Sequence, residues 1–329
     1  MLGKPIAIVH GEGADLNNKT AIRNRAKKKQ ISQVLSLTLA GIATESGNDK
    51  LAKTLWNSYY CLDSVQVSNG RIYGKYCKNR ICTVCLGIRK AEMIHKYLPV
   101  LLNWEEPHFV TLTVKAVSAR SLKKTMERMN YGLNRIIGKY KKRNQRGKSE
   151  RLIGIRSLEC NFNPIARTYN PHFHLIVPNC KTGDLLIQEW LMTSRKGKTA
   201  PWAQKNLRVF NNEKCLIEIV KYGSKIFTEP DIDKKKDSSL ETKIYARALY
   251  TIIEAMQGHR IFERFGFNLP KTKKPKSTEA RLLTEFAEFN YDNSYLDWMN
   301  SNTNEQLTNY SAERKLNYLL EYNIDNELN

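Results

Sequence analysis

The chain has 329 residues, of which 54 are Lys or Arg and 32 are Asp or Glu, for a net charge of +22. That length suffices for one large domain or two modest ones with a sizeable core. No apolar run approaches the ~18 residues needed to span a bilayer and no secretory signal is visible, so an intracellular protein with no membrane partner is expected.

In chain order, residues 1–55 read as a basic N-terminal arm and helix, with a basic run from Lys19 to Lys29 and an apolar helical stretch from Ile31 to Ile42. Residues 56–100 hold a cysteine cluster. Phe109 to Val114 is a β-branched strand, and Ser118 is a plausible cap for a helix running to Tyr140. A basic loop from Lys141 to Lys148 precedes a strand from Leu152 to Asn161. The turn chemistry between Asn163-Pro164 and Asn170-Pro171 predicts a hairpin into a second strand. Helices are predicted at Asp184 to Met192, Glu213 to Phe227 and Glu241 to Met256, with a loop at Lys234 to Lys236. Lys271 to Lys276 is a basic linker, and 271–329 as a whole reads as that linker plus an acidic helical tail. Residues 277–329 carry ten acids and three bases, leaving +29 on residues 1–276. A field of that size attracts polyanions. Nucleic acid is favoured over anionic lipid because no basic amphipathic helix with a bulky apolar face stands out. The mixture of strands and helices around a hairpin indicates an α+β fold with a central antiparallel sheet.

Seven cysteines in an intracellular basic chain point to metal or incidental use, not a disulfide framework. Cys77, Cys82 and Cys85 fall within nine residues, and Cys61 lies upstream. A tetrahedral Zn²⁺ site takes four such ligands; Cys61 is the preferred fourth, with His95 the alternative. Neighbouring Lys75, Lys78, Arg80, Arg89 and Lys90 favour thiolates. Cys160, Cys180 and Cys215 sit in apolar contexts and are expected to be ordinary buried residues.

In Pro171-His172-Phe173-His174, strand alternation puts both imidazoles on one face. An isolated pair of this kind is more often just polar residues on a wet face. Glu159, at the end of the preceding strand, can complete a set of two imidazoles and a carboxylate, which suits Mg²⁺ or Mn²⁺ when a phosphate completes the shell. The competing reading is a surface glutamate. Glu218 and Tyr222 are spaced i, i+4 and share a helix face, with Lys225 following. A phenol beside a metal-bound phosphate can attack phosphorus, and a lysine can stabilise the developing charge.

The order of the cysteine knuckle, FVTLTV, Arg156-Ser157-Leu158-Glu159, Pro171-His172-Phe173-His174 and Glu218-x3-Tyr222-x2-Lys225 resembles the plasmid rolling-circle replication initiators. These belong to the HUH endonuclease superfamily. The resemblance runs from about residue 56 to 270 and includes Gly258-His259-Arg260-Ile261-Phe262. It implies an HUH nicking domain over 101–270, preceded by a small zinc-binding module. It implies single-strand nicking of plasmid origin DNA, single-stranded or as an extruded hairpin, through a 5′-phosphotyrosine that leaves a 3′-OH primer. On that reading Tyr222 is the nucleophile, Glu218 activates water at termination, and His172, His174 and Glu159 hold Mg²⁺ or Mn²⁺. The implied setting is the bacterial cytoplasm, with a host helicase, a polymerase and a homodimer on the origin as partners. Rival readings are a relaxase or single-strand transposase of the same superfamily, or a non-catalytic zinc-dependent DNA-binding regulator.

Overall fold

Alternating side chains on either side of the Asn163-Pro164 turn fold residues 154–177 into the longest antiparallel ladder among the described residues, from Ile155↔Ile176 to Asn163↔Thr168. The structure is a computed structural model. It describes residues 6–10, 13–193, 199–222, 243–270 and 280–326, and for 218–222 the backbone only.

The elements begin with β1 (Ala7–His10), β2 (Ala14–Asp15), α1 (Lys19–Glu45), α2 (Asp49–Tyr59), β3 (Ser64–Ser68), β4 (Arg71–Gly74) and α3 (Thr83–Leu101). Next come β5 (His108–Thr113), α4 (Ala119–Gln145), β6 (Gly154–Asn163), β7 (Thr168–Val177), α5 (Cys180–Thr193), β8 (Lys205–Arg208) and α6 (Asn212–Tyr222). The remainder are β9 (Ile244–Tyr245), α7 (Ala246–Ala255), β10 (Phe262–Phe265), β11 (Ala280–Leu283), β12 (Ala287–Asp292), β13 (Asp297–Asn300), α8 (Arg314–Tyr322) and β14 (Ile324–Asp325).

The chain divides into two units: described residues within 1–88, 239–246 and 271–325, and those within 89–238, 247–270 and 326–329. The sequence boundary at 270 coincides with a division of the structure, whereas those at 55 and 100 do not, because the first unit runs on to residue 88 and also takes in residues 271–325.

In the first unit an antiparallel sheet runs in the order β13-β12-β3-β4-β2. Phe289 of β12 pairs with Val65 of β3, and Trp298 donates its indole N–H to the Leu62 carbonyl at 2.7 Å. The expected acidic helical tail is thus corrected. Its described part holds four short strands and one helix, and Phe289 and Trp298 are too apolar to leave in water. Glu313 on its surface pairs with Lys27 of α1 at 3.0 Å.

In the second unit the antiparallel sheet has the order β10-β6-β7-β5-β8. Phe173, Leu175 and Leu158 lie on one face with the α4 side chains Leu122, Met126 and Leu133 and with Trp190 of α5, all buried. Each such side chain contributes roughly 1.5–3 kcal/mol. On the other face Ile155 and Ile176 pack with Tyr97 and Leu101 of α3 and Leu216 of α6.

Three local expectations change. Helix α4 continues through Lys141–Gln145 instead of ending at Tyr140, since Lys and Arg are good helix formers and its last-turn bases Lys142 and Arg143 oppose the helix dipole. The helix predicted from Glu241 starts at Ala246, after the short strand β9. Residues 223–227 of the Glu213 helix, the loop at Lys234 to Lys236 and the linker at Lys271 to Lys276 lie outside the described residues. Among the described residues no helix is long and apolar enough to cross a membrane.

Candidate metal centres

Glu159 on β6 and His172 on β7 are register partners, and His174 lies two residues further along the same face. Glu159 and His172 are buried and His174 is half-buried. Glu159 Oε2 stands 3.4 Å from His172 Nε2 and 3.5 Å from His174 Nε2. One ligand atom from each residue lies within 4.8 Å of the others, a grouping that can hold a metal ion. A carboxylate sealed from water between two imidazoles is costly unless a positive charge joins it.

The imidazoles are oriented from behind. His172 Nδ1 lies 2.9 Å from the Asn170 carbonyl; a carbonyl only accepts, so Nδ1 carries the hydrogen and Nε2 presents a lone pair. His174 Nδ1 lies 3.1 Å from Thr111 Oγ1 on β5, its register partner, and its ring rests on Phe109 at 4.8 Å. Asn170 is held in turn by the Thr113 hydroxyl at 3.0 Å. On the same face, directly across from His174, the buried Ser157 hydroxyl has no hydrogen-bond partner among the described residues. Sequence reasoning did not single out Thr111, Asn170 or Ser157 for support. The strand His108–Thr113 contained a usable signal, because its alternate positions Thr111 and Thr113 share the histidine face once the pairing is known.

The second group is Cys61, Cys77, Cys82 and Cys85, whose sulfurs also lie within 4.8 Å of one another. Cys61 Sγ is 3.5 Å and Cys77 Sγ 3.6 Å from Cys85 Sγ. The cluster closes with Cys61, while His95, the alternative ligand, is exposed on α3. Backbone N–H groups point at the sulfurs, from Cys77 to Cys61 at 3.4 Å, from Lys78 to Cys85 at 3.2 Å and from Asn79 to Cys77 at 3.4 Å. Lys78 has φ 57°, the left-handed bend that turns these donors inward. Hydrogen bonds from the Cys61 and Cys77 thiols hold Cys82 well below the usual thiol range. The cluster is part of the first unit's core beside Leu62, Val65, Phe289 and Trp298, so it is not a separate small module.

The remaining cysteines depart from expectation. Cys180 is exposed and its thiol lies 3.4 Å from Asp184, while Cys160 and Cys215 are only half-buried. Their apolar sequence neighbours point elsewhere.

Glu218 and Tyr222 are on α6, whose backbone is helical through Tyr222; Lys225 lies outside the described residues. Leu216 of α6 packs on Ile155 and Ile176. These alternate in register with Glu159, His172 and His174, so α6 covers the face that carries the group. Tyr222 follows Leu216 by six residues, about 9 Å along the axis.

Comparison with known proteins covers the Glu159 group and three of the four cysteines. A family described as Replication protein matches residues 71–181, which include Cys77, Cys82, Cys85, Glu159, His172 and His174. A curated relative from Staphylococcus aureus, "Protein rep", is 31% identical over 166 residues, covering 45% of this chain and 69% of its own length. The chain belongs to the Rep family of plasmid replication initiators. A second "Protein rep", from Streptococcus pneumoniae serotype 2, is 29% identical over 174 residues, covering 50% of this chain and 51% of that relative. The Rep match thus spans about half the length of this second relative. No solved structure matches the chain.

Proposed function

We propose that this Rep protein initiates rolling-circle replication as a metal-dependent HUH nickase. The observation that carries the reading is the Glu159–His172–His174 group on one sheet face, with α6 packed on that same face through Leu216.

The residues fit a hard divalent cation. Neighbouring ligands at ~2.1 Å from Mg²⁺ stand about 3 Å apart, close to the 3.4 and 3.5 Å found. The Ser157 hydroxyl, without a hydrogen-bond partner among the described residues, suits a metal-bound water. The cation, Mg²⁺ or Mn²⁺, supplies Lewis-acid polarisation of the scissile phosphate. Tyr222 Oη attacks phosphorus; the P–O3′ bond breaks, the 3′-OH departs with a proton, and the 5′ phosphate remains on tyrosine. Lys225 offsets the negative charge developing on the phosphate. At termination the Glu218 carboxylate takes a proton from water, whose oxygen attacks phosphorus while the phenol leaves. The four thiols fit zinc, since Zn–S bonds of 2.3 Å put tetrahedral sulfurs about 3.8 Å apart against the 3.5 and 3.6 Å found. The reading includes the bacterial cytoplasm as the setting and a host helicase, a polymerase and a homodimer on the origin as partners.

The test incubates labelled origin oligonucleotide and supercoiled origin plasmid with the protein and Mn²⁺. Wild type is expected to nick and to form a covalent adduct. Tyr222→Phe should form none, and His174→Ala should bind DNA without cutting it. An undiminished Tyr222→Phe adduct overturns the nucleophile. A wild-type protein that binds and never nicks is instead a zinc-dependent DNA-binding regulator.

A further inference from the structure

Helix α4 has two unlike sides. Inward, Leu122, Met126, Met129, Leu133 and Ile136 are buried, and Asn130 accepts a hydrogen bond from the Arg156 guanidinium at 2.9 Å. Arg156 and Glu159 are three residues apart on β6 and so point to opposite faces. Helix α4 therefore covers the sheet face opposite Glu159, His172 and His174.

Outward, Lys124, Arg128, Tyr131, Arg135 and Lys142 are exposed. Their spacing of four, three, four and seven residues makes one stripe along the helix, about 27 Å long at 1.5 Å per residue. Residues 119–151 contain twelve bases and only two acids, Glu127 and Glu150. Lys139, on the flank, binds Glu189 at 2.7 Å. Among the described residues no ion pair joins Lys124, Arg128, Arg135 or Lys142 to an acid. Tyr131 is 67% exposed, with the Arg135 guanidinium 5.7 Å from its ring.

A helix face serving only solubility mixes both signs of charge, whereas the exposed side of this one carries a single acid, Glu127, among its bases. An anionic membrane requires bulky apolar groups along the polar boundary, whereas the outward stripe offers Tyr131 alone. Single-stranded DNA is held by successive stacking aromatics, and one tyrosine cannot supply them. A straight row of cations matches a duplex strand, which carries one charge per ~3.4 Å of axis, so the stripe spans about eight base pairs. Arg, Lys and Tyr side chains are among the usual phosphate donors.

We propose that Lys124, Arg128, Tyr131, Arg135 and Lys142 grip the phosphate backbone of duplex DNA on the side of the sheet away from the Glu159–His172–His174 group. The origin as the source of that duplex rests on the proposed function; duplex binding itself can be measured without nicking.

The test compares Lys124→Ala/Arg128→Ala/Arg135→Ala with Lys19→Ala/Lys50→Ala/Lys53→Ala, which removes equal charge from exposed sites in the first unit. Alanine is the best helix former, so α4 stays intact. Affinity for a 30-base-pair origin duplex and for a single strand of equal length is measured across salt concentrations. The stripe variant should lower the duplex salt slope by about 2.7, or 0.9 per lost contact. The control should leave the slope near wild type, and nicking of a short single-stranded oligonucleotide should be unaffected in both variants. Equal slopes in the two variants overturn the proposal, and so does a loss as large on single strands as on duplex. If wild type binds duplex with the expected slope but never nicks, the nickase reading fails while this surface stands.

Discussion

Thr111 Oγ1 stands 3.1 Å from His174 Nδ1, directly across the β5–β7 ladder. The hydroxyl can accept the ring N–H and so turn His174 Nε2 toward Glu159. Partners of this kind typically govern 10–100-fold in metal affinity. Thr111→Val keeps shape and removes the hydroxyl, so Mn²⁺ affinity measured by calorimetry should fall by about that range, with Thr111→Ser near wild type. A Val variant that binds Mn²⁺ like wild type assigns the ring's orientation to Phe109 alone.

Arg156, 2% exposed, binds Glu263 at 2.7 Å. Burial pushes the Glu263 carboxyl up, but hydrogen bonding and charge from Arg156, joined by Arg260, outweigh it and leave the pKa below the ordinary value. A carboxyl depressed in the fold adds stability above its unfolded pKa, about 4.3, and that stability is lost as pH falls through the folded value. Glu263→Gln removes this component and leaves the guanidinium without its counter-charge. The expected loss at pH 7 is about 2 kcal/mol, below the ~3–5 of a fully buried pair, because the Glu263 side chain is 28% exposed and water screens it. Urea unfolding should show the gap to wild type closing on acidification below about pH 4. A gap constant with pH would mean the loss is packing alone.

The histidine hairpin was legible in the sequence because its information is local: a turn, a period of two, and a carboxylate in register. The cysteine set was legible for the same reason, with Cys61 preferred as the fourth member over His95 and the choice between them settled only by the fold around Leu62. What could not be read was pairing across long chain separations. Phe289 meets Val65 more than two hundred residues away, and nothing in the FAEFNYD stretch names that partner. Acidic composition therefore suggested a solvated helical tail, although its apolar residues complete the first unit's core. The supports Thr111 and Asn170 were hidden for a related reason, since a side chain behind a ligand is identified by strand neighbours and not by spacing.

The sulfur cluster carries a stability prediction because Cys61, Cys82 and Cys85 are core residues of the first unit. If zinc holds them, metal binding contributes directly to folding. Cys85→Ser should lower bound zinc from about one per chain toward none, and it should lower the melting temperature with loss of protease resistance in residues 14–88. Cys180→Ser, at an exposed position, should change neither. Elemental analysis beside thermal melts decides this: full stability in Cys85→Ser with no zinc bound would reduce the cluster to packing.

Glu218 separates the two halves of the proposed cycle. The backbone of α6 is helical from Asn212 to Tyr222, so Glu218 and Tyr222 are one turn apart, about 6 Å along the axis. At that separation a carboxylate shares the tyrosine's helix face and can reach a water beside a phosphotyrosine. Initiation uses the phenol and the cation, so Glu218→Ala should nick and form adduct at close to the wild-type rate. Release by water uses a base, and a positioned base typically contributes 10²–10⁴-fold. Hydrolysis of the adduct should therefore slow by at least about a hundredfold, and protein-linked DNA longer than one plasmid length should accumulate. A glutamate that only pairs with a nearby lysine such as Lys221 or Lys225 would shift stability slightly and leave the ratio of adduct to released strand unchanged. Following both species in one reaction reads that ratio directly, and an unchanged value excludes Glu218 as the base.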